Sequence, residues 1–405
     1  MERTISPMKI TIVSYNDCGG AGIAALRLHK ALMKNGIDSS MLCLYKTTDT
    51  PNVYQFKKSI AIKIIEHLPI PYKQNKYKIY HKELSKHYVC TSFPEAIYDI
   101  STHPLIQQAD IINLHWVGNM LDYSRFFQKV KKPIVWTLHD NNPFLGFAHY
   151  RKDREKNQQY KLLEEKVALI KSNAINSHPN VSVVNLCNWM KVASSQSATF
   201  SNRTHTIIPN SIDIKIFKVH NQKAIREDIG LPTNKPIILF VSQSVSNPWK
   251  GFDILQAALK QLKKECFLLV IGKQEKINFS SENCKFVGTI NDEHLISQMY
   301  NAADVFVLPT LEDNLPNTMV ESLCCGTPVI SFSNGGMTDY IHNMKNGIIV
   351  KDETPQDLLN AINLFLDNID SFDSRETISK ENHKKFSPDI QAERYIKLYK
   401  SVLNL

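Results

Sequence analysis

The feature that most constrains this chain is a recurring pair: a short apolar run that ends in polar residues, then an amphipathic stretch with helical spacing. "MKITIVSY" is the first such run. A glycine turn, "NDCGGAG", and a helical stretch, "IAALRLHKALMKNG", follow it, and Gly36 closes the helix. "SSMLCLY", "ADIINLHWV" and "KPIVWTLHD" are further strand-like runs, the last two ending in His115–Trp116 and His139–Asp140. "HTIIPNSID" ends this first series, near residue 205. "KPIILFVSQ", "CFLLVIG", "CKFVGT", "DVFVLPT" and "TPVISF" then make five more, separated by helical runs such as "GFDILQAALKQLK" and "DEHLISQMYNAA". Strands that alternate with helices predict an α/β architecture with parallel, doubly wound sheets. A length of 405 residues allows two such domains. Ligands of open α/β sheets bind at the carboxyl ends of strands, so a cleft between the two domains is the expected site.

Other classes are disfavoured by what the chain does not contain. The start, "MERTISPMKITIVSYND", lacks a basic-then-apolar signal pattern, and no apolar run approaches the length of a membrane span, so the expected compartment is the cytoplasm. Eight Cys are scattered without C-x-x-C or Cys/His spacing, which predicts free thiols and no zinc. Net charge is +9. The excess is densest from Lys57 to Lys86, where eight Lys face Glu66 and Glu83, with Tyr72, Tyr77, Tyr80 and Tyr88 interleaved. Such a segment suits an anionic membrane surface or a phosphorylated acceptor as well as it suits a solvated helical hairpin. No nucleic-acid module accompanies the charge. "GGAG" lacks the G-x-G-x-x-G spacing, and no acid ends "SSMLCLYK", which argues against a nicotinamide-dependent oxidoreductase.

The stretch "LPTLEDNLPNTMVESLCCGTPVIS" carries the most chemistry. A strand leads into a loop with Asp313, and a helix follows that holds Glu321 one turn in. The free amides at the start of that helix attract phosphate. Asp313 precedes them, and Glu321 can accept hydrogen bonds from a diol. A nucleoside diphosphate sugar offers sugar hydroxyls, a diphosphate and a ribose in that order. The acids could equally serve only to cap the helix.

The stretch resembles the E-x7-E signature of family 4 retaining glycosyltransferases of bacterial polysaccharide type, which have the GT-B fold. Here it reads Asp313-x7-Glu321. The resemblance implies that Asp313 and the amides of Asn314 and Leu315 meet the sugar, that Asn317 and Thr318 meet the diphosphate, and that Glu321 holds the ribose. Pro316, which has no N–H, stands where the family often has Gly. "FVSQSVSNPWKGFDILQAAL" is similar to the segment whose Arg and Lys clamp the diphosphate; Lys250 matches the Lys, and Gln243 stands in place of the Arg. On its own residues Lys250 reads as a surface Lys. "KFVGTI", with Val287, resembles the loop that borders the base, "SNGGMTDYI" the glycine turn after it, and "IIPNSID" the linker into the second domain. In the amino half, "DCGGAGIAALRLHKAL" resembles the glycine loop, with Gly20 towards the donor and Gly19 towards the acceptor. "PIVWTLHDNNPFLGFAHY" resembles the stretch whose His, here His139, contacts the donor sugar. Leu145 and Ala148 replace the family's usual Thr and Cys. His115, Trp116 and Asp140 fall on the acceptor side; a lone His or aromatic at a strand end more often serves packing.

The resemblance implies a GT-B protein with two Rossmann-like domains facing a cleft: residues 1–205 for the acceptor, 206–385 for the nucleotide sugar, and a helix at about 386–405 packed back on the first. It implies a hexosyltransferase-type enzyme of cell-surface polysaccharide, lipopolysaccharide or capsule biosynthesis. The donor would be UDP- or GDP-linked, and the acceptor a glycan or lipid-diphosphate-linked glycan. His139, Asp313 and Lys250 would carry the transfer. No metal or other cofactor is expected, and the protein would be cytoplasmic, peripheral on the inner membrane face. A GT-B nucleotide-sugar epimerase and a non-catalytic nucleotide-sugar binder are the alternatives.

Overall fold

A computed structural model describes residues 8–67, 78–273 and 283–405. The chain divides into two compact units: residues up to Asn210 with Gln391–Leu405, and Ser211–Ile390. The first holds β1 (Lys9–Asn16), β2 (Asp38–Tyr45), β3 (Val53–Gln55), β4 (Ile111–Leu114), β5 (Ile134–Leu138), β6 (Val181–Asn185) and β7 (Thr204–Ile207), in the order β3-β2-β1-β4-β5-β6-β7. The second holds β8 (Ile237–Ser244), β9 (Phe267–Lys273), β10 (Cys284–Gly288), β11 (Val305–Leu308), β12 (Val329–Phe332) and β13 (Gly347–Val350), in the order β10-β9-β8-β11-β12-β13. Every pair is parallel. β4, β5, β11 and β12 are buried throughout, because helices cover both sheet faces and leave no polar side for alternation to mark. Winding direction reverses between β1 and β4 and between β8 and β11, and loops at such switch points are the usual ligand sites.

Three expectations shift. The glycine turn is part of the first helix, Gly19–Lys34: Gly19 turns the chain at φ +66°, and Gly20 to Gly22 already form helical backbone. The second sheet has a sixth strand, β13, and the first gains β3 and β6. The boundary expected at 205/206 falls inside β7, which pairs with β6, and moves to Asn210/Ser211. The last helix, Pro388–Leu403, sits on the first sheet, where Tyr399 accepts from Asn113 Nδ2 (2.8 Å) and Tyr395 shares a 2.9 Å bond with Thr137. All eight cysteines are free. Among the described residues no helix is long and apolar enough to cross a membrane. The basic stretch begins with Lys57 and Lys58, just ahead of the helix Ile60–His67, and resumes at Lys78–Leu84; Lys73, Lys76, Tyr72 and Tyr77 lie outside the described residues.

Candidate functional site

In the second unit, three loops meet at the carboxyl ends of β8, β11 and β12. Thr310 Oγ1 and the Leu311 amide both donate to the Trp249 carbonyl, at 2.9 and 2.8 Å, which ties the Lys250 loop to the Asp313 loop. Gly251 and Gly335 make this closeness possible. Both have positive φ, and a Cβ would lie 2.0 Å from the Pro309 carbonyl oxygen at Gly251 and 1.8 Å from that of Asp313 at Gly335. The result is an ion pair between Lys250 Nζ and Asp313 Oδ2, each side chain half-buried. Asp313 Oδ1 accepts from the Asn314 amide at 2.9 Å, so that amide is engaged within its own loop.

The helix Asn317–Cys324 starts directly after Pro316, its N-cap. No side chain caps it and no acid occupies its first turn, so its dipole is not neutralised from within. Asn317 and Thr318 are half-buried at this end, and Leu315 is buried. Glu321 is half-buried and accepts from the buried Tyr300 hydroxyl at 3.2 Å. Gln243 is exposed one residue before the end of β8, where the β8/β9 register shifts. Val287, 36% exposed, lies on the edge strand β10. Lys250, Asp313, Asn314 and the helix start are thus brought together; Gln243 and Val287 sit on neighbouring strand ends. A fixed cation beside an uncapped helix start can hold a diphosphate.

In the first unit the candidate residues cluster at the ends of β1, β4 and β5. Gly19 and Gly20 open the first helix, which no side chain caps, and a Cβ at either would meet nothing within 4 Å. His115 Nδ1 and His139 Nε2 are 2.9 Å apart. Asp140 is the hub of a second cluster. It accepts from Trp116 Nε1 (2.7 Å) and from the Asn142 amide (2.9 Å), and it pairs with His149 Nδ1 (2.6 Å). Trp116 stacks on the His149 ring at 5.3 Å.

The electrostatics divide these histidines. Burial pushes His139 down to about 4 against the pull of Asp140. Burial, then His139, holds His115 well below the usual imidazole range. Burial opposes charge on His149 too, but the Asp140 carboxylate overrides it and raises His149 to about 10. Burial would raise Asp140; the charge of His149, with its hydrogen bonds, outweighs this and lowers it. At neutral pH the unit therefore holds a neutral His115–His139 pair and a charged His149–Asp140 pair.

Sequence reasoning missed Tyr300, His149, Asn142 and Lys171. The fully buried Lys171 donates to Asn142 O (2.8 Å) and Oδ1 (2.9 Å). One signal was available: Val167, Lys171, Ala174 and Ile175 fall at i, i+4, i+7 and i+8, so Lys171 occupies a core position of its helix. His149 had none, since only the tertiary turn brings it to Asp140. Among the described residues no three His, Cys, Asp or Glu cluster to hold a metal.

Residues 221–385 match the family described as glycosyl transferases group 1. A D-inositol 3-phosphate glycosyltransferase from Segniliparus rotundus is 25% identical over 165 residues, 37% of this chain and 36% of that protein. One from Xylanimonas cellulosilytica is 22% identical over 368 residues, 85% of this chain and 84% of that protein. Among solved structures, HepE of Anabaena in complex with UDP and glucose aligns with a TM-score of 0.69 at 16% identity, over 97% of this chain and 100% of that one. Sucrose-phosphate synthase from Thermosynechococcus elongatus aligns at 0.68 with 17% identity, over 98% and 99%. The fold is GT-B, with two Rossmann-like units, and the group 1 glycosyl transferase match lies within the second of them.

Proposed function

We propose that this chain, a glycosyltransferase by its group 1 match, moves a hexosyl group from a UDP- or GDP-linked sugar to a hydroxyl of a glycan or lipid-diphosphate-linked glycan, with retention at the anomeric carbon, in cell-surface polysaccharide biosynthesis. The observation that carries the reading is the Lys250–Asp313 pair set before the uncapped helix Asn317–Cys324. Lys250 is a point charge for the departing diphosphate, and the helix amides share its negative charge. Asp313 leaves Lys250 for hydroxyls of the sugar when the donor binds, and Glu321, held by Tyr300, receives the ribose diol. His139 orients the sugar as a neutral ring; its low pKa suits hydrogen bonding over permanent charge. Trp116 and Asp140 line the acceptor side. Gln243 leaves Lys250 to act without the family's Arg. No metal is assigned a role, so transfer is expected to persist in EDTA.

A thermal-shift panel of nucleotide sugars with a transfer assay tests this. One UDP- or GDP-sugar is expected to raise the melting temperature and to be consumed with an acceptor. Asp313→Asn should cut transfer about 100-fold. A chain that no nucleotide sugar stabilises, or an Asp313→Asn variant as active as the parent, would sink the reading.

A membrane-surface role rests on the helix Ile60–His67. Ile60 (77%) and Ile64 (57%) are exposed beside exposed Lys57 and Lys63, an apolar and basic face suited to an anionic bilayer. Vesicles with about one third anionic lipid should float the protein. Ile64→Asp combined with Lys73, Lys76, Lys78 and Lys82 changed to Glu should abolish flotation; unchanged flotation would refute the attachment.

A further inference from the structure

His115 is 3% exposed, and its ring has one protein partner, His139, with ring centroids 5.1 Å apart. Its Nε2 is buried and has no protein hydrogen-bond partner. Its backbone is pinned: the His115 amide donates to the Val13 carbonyl at 2.9 Å, and the Tyr15 amide to the Trp116 carbonyl at 2.7 Å. The ring therefore stands at a fixed place on the sheet.

Ile10, Ile12 and Ile111 share one core cluster, so strand alternation puts Ser14 and His115 on that same face of neighbouring strands. The Ser14 hydroxyl is also buried without a protein partner. Two polar groups thus occupy a covered face where apolar side chains would cost less. Packing gives no reason for a histidine here. Its hydrogen bond to His139 does.

We infer that His115 is a positioning residue: its Nδ1–H donates to Nε2 of His139 and so turns the protonated Nδ1 of His139 towards a substrate hydroxyl. The inference rests on the sugar-transfer reading above. The direction of the bond follows from what each choice leaves behind. If His139 donated from Nε2, His115 would carry its own proton on the buried Nε2, an N–H with no protein acceptor. Orphaned buried N–H groups are rarer in proteins than under-used acceptors. With His115 as donor, its Nε2 keeps a lone pair, on the face that also carries the Ser14 hydroxyl. His139 is half-buried, and among the described residues no other hydrogen bond holds its ring, so Nδ1 is the atom left for a ligand. His139 then acts as a hydrogen-bond donor of set direction, and both rings are held neutral by burial.

Histidine 15N–1H spectra of the full chain at pH 7 read the tautomer directly, with the His139 signals assigned by their loss in His139→Ala. The expected result is His139 protonated on Nδ1, the minor tautomer of free histidine. In His115→Phe it should revert to Nε2–H, and kcat/KM for transfer should fall about 10- to 100-fold. His115→Asn, whose amide N–H replaces Nδ1–H, should recover most of that loss. The double variant His115→Phe/His139→Ala should be no slower than His139→Ala alone. Nε2–H on His139 in the unmodified chain overturns the inference even if variants fold poorly, as does His115→Phe with an unchanged tautomer and rate. Unimpaired transfer in His139→Ala would instead overturn the role proposed for His139 itself, while the tautomer reading still judges the pairing.

Discussion

Replacing Lys250 by Ala should lower kcat for sugar transfer by about 100- to 1,000-fold with little change in melting temperature. The asymmetry follows from where the charge works. In the free protein Lys250 and Asp313 form a pair with 24% and 20% of their side chains exposed, and such pairs add only about 0–1 kcal/mol to stability. As the glycosyl–phosphate bond breaks, negative charge grows on the leaving diphosphate, and Lys250 is a cation that its loop fixes against Asp313 ahead of the uncapped helix start. Gln243, near the end of β8, carries no charge to cover its loss. Lys250→Arg should recover part of the rate, since the charge returns with a bulkier fork. Single-turnover measurements at saturating donor separate this from weaker binding. A loss below about threefold would remove Lys250 from the chemistry.

Asp140→Asn should destabilise the first unit by about 3–5 kcal/mol near pH 6, because it strips the partner from a buried imidazolium. His149 is 4% exposed and its partner contact is 2.6 Å, whereas Asp140 is 24% exposed, which favours the lower end of that range. The pH dependence has a definite sign. His149 titrates at about 10 in the folded protein against a usual 6.5, so its stabilising contribution is complete below 6.5 and fades as pH rises to 10. Asp140 is lowered, so its contribution is present above 3.8 and fades as pH falls below that. His139, at about 4, acts the other way from His149: the folded state resists its protonation, and stability drops as pH falls from 6.5 towards 4. Burial lowers Lys171 to about 7, so its contribution grows as pH rises towards 10.5 and opposes the loss from His149. The His149 contribution is therefore read as a difference: in chemical denaturation from pH 6 to 10 the parent's advantage over Asp140→Asn should shrink as pH rises. A gap that stays constant over that range would show that the pair does not govern it.

The site was legible to different depths. Lys250, Asp313 and Glu321 lie in short loops and one helix turn, so a linear pattern could single them out as candidates. His149 and Asp140 are nine residues apart across an irregular turn, and Lys171 reaches Asn142 from a separate helix; no periodicity links them. β6 was missed although it is buried, because "VSVVN" has Ser and Asn inside an apolar run. β7, "THTI", is half-exposed at a sheet edge and reads as a linker.

The amino-acid order alone determined the alternation of strand and helix, the two parallel sheets, and the loop that leads into the helix at Asn317. These depend on hydrophobic period and glycine placement, which act over a few residues. Only the tertiary structure decided which groups are charged: His149 protonated against Asp140, His115 and His139 neutral beside one another. A proton's free energy depends on burial and on partners brought from distant parts of the chain, and neither is a property of local sequence.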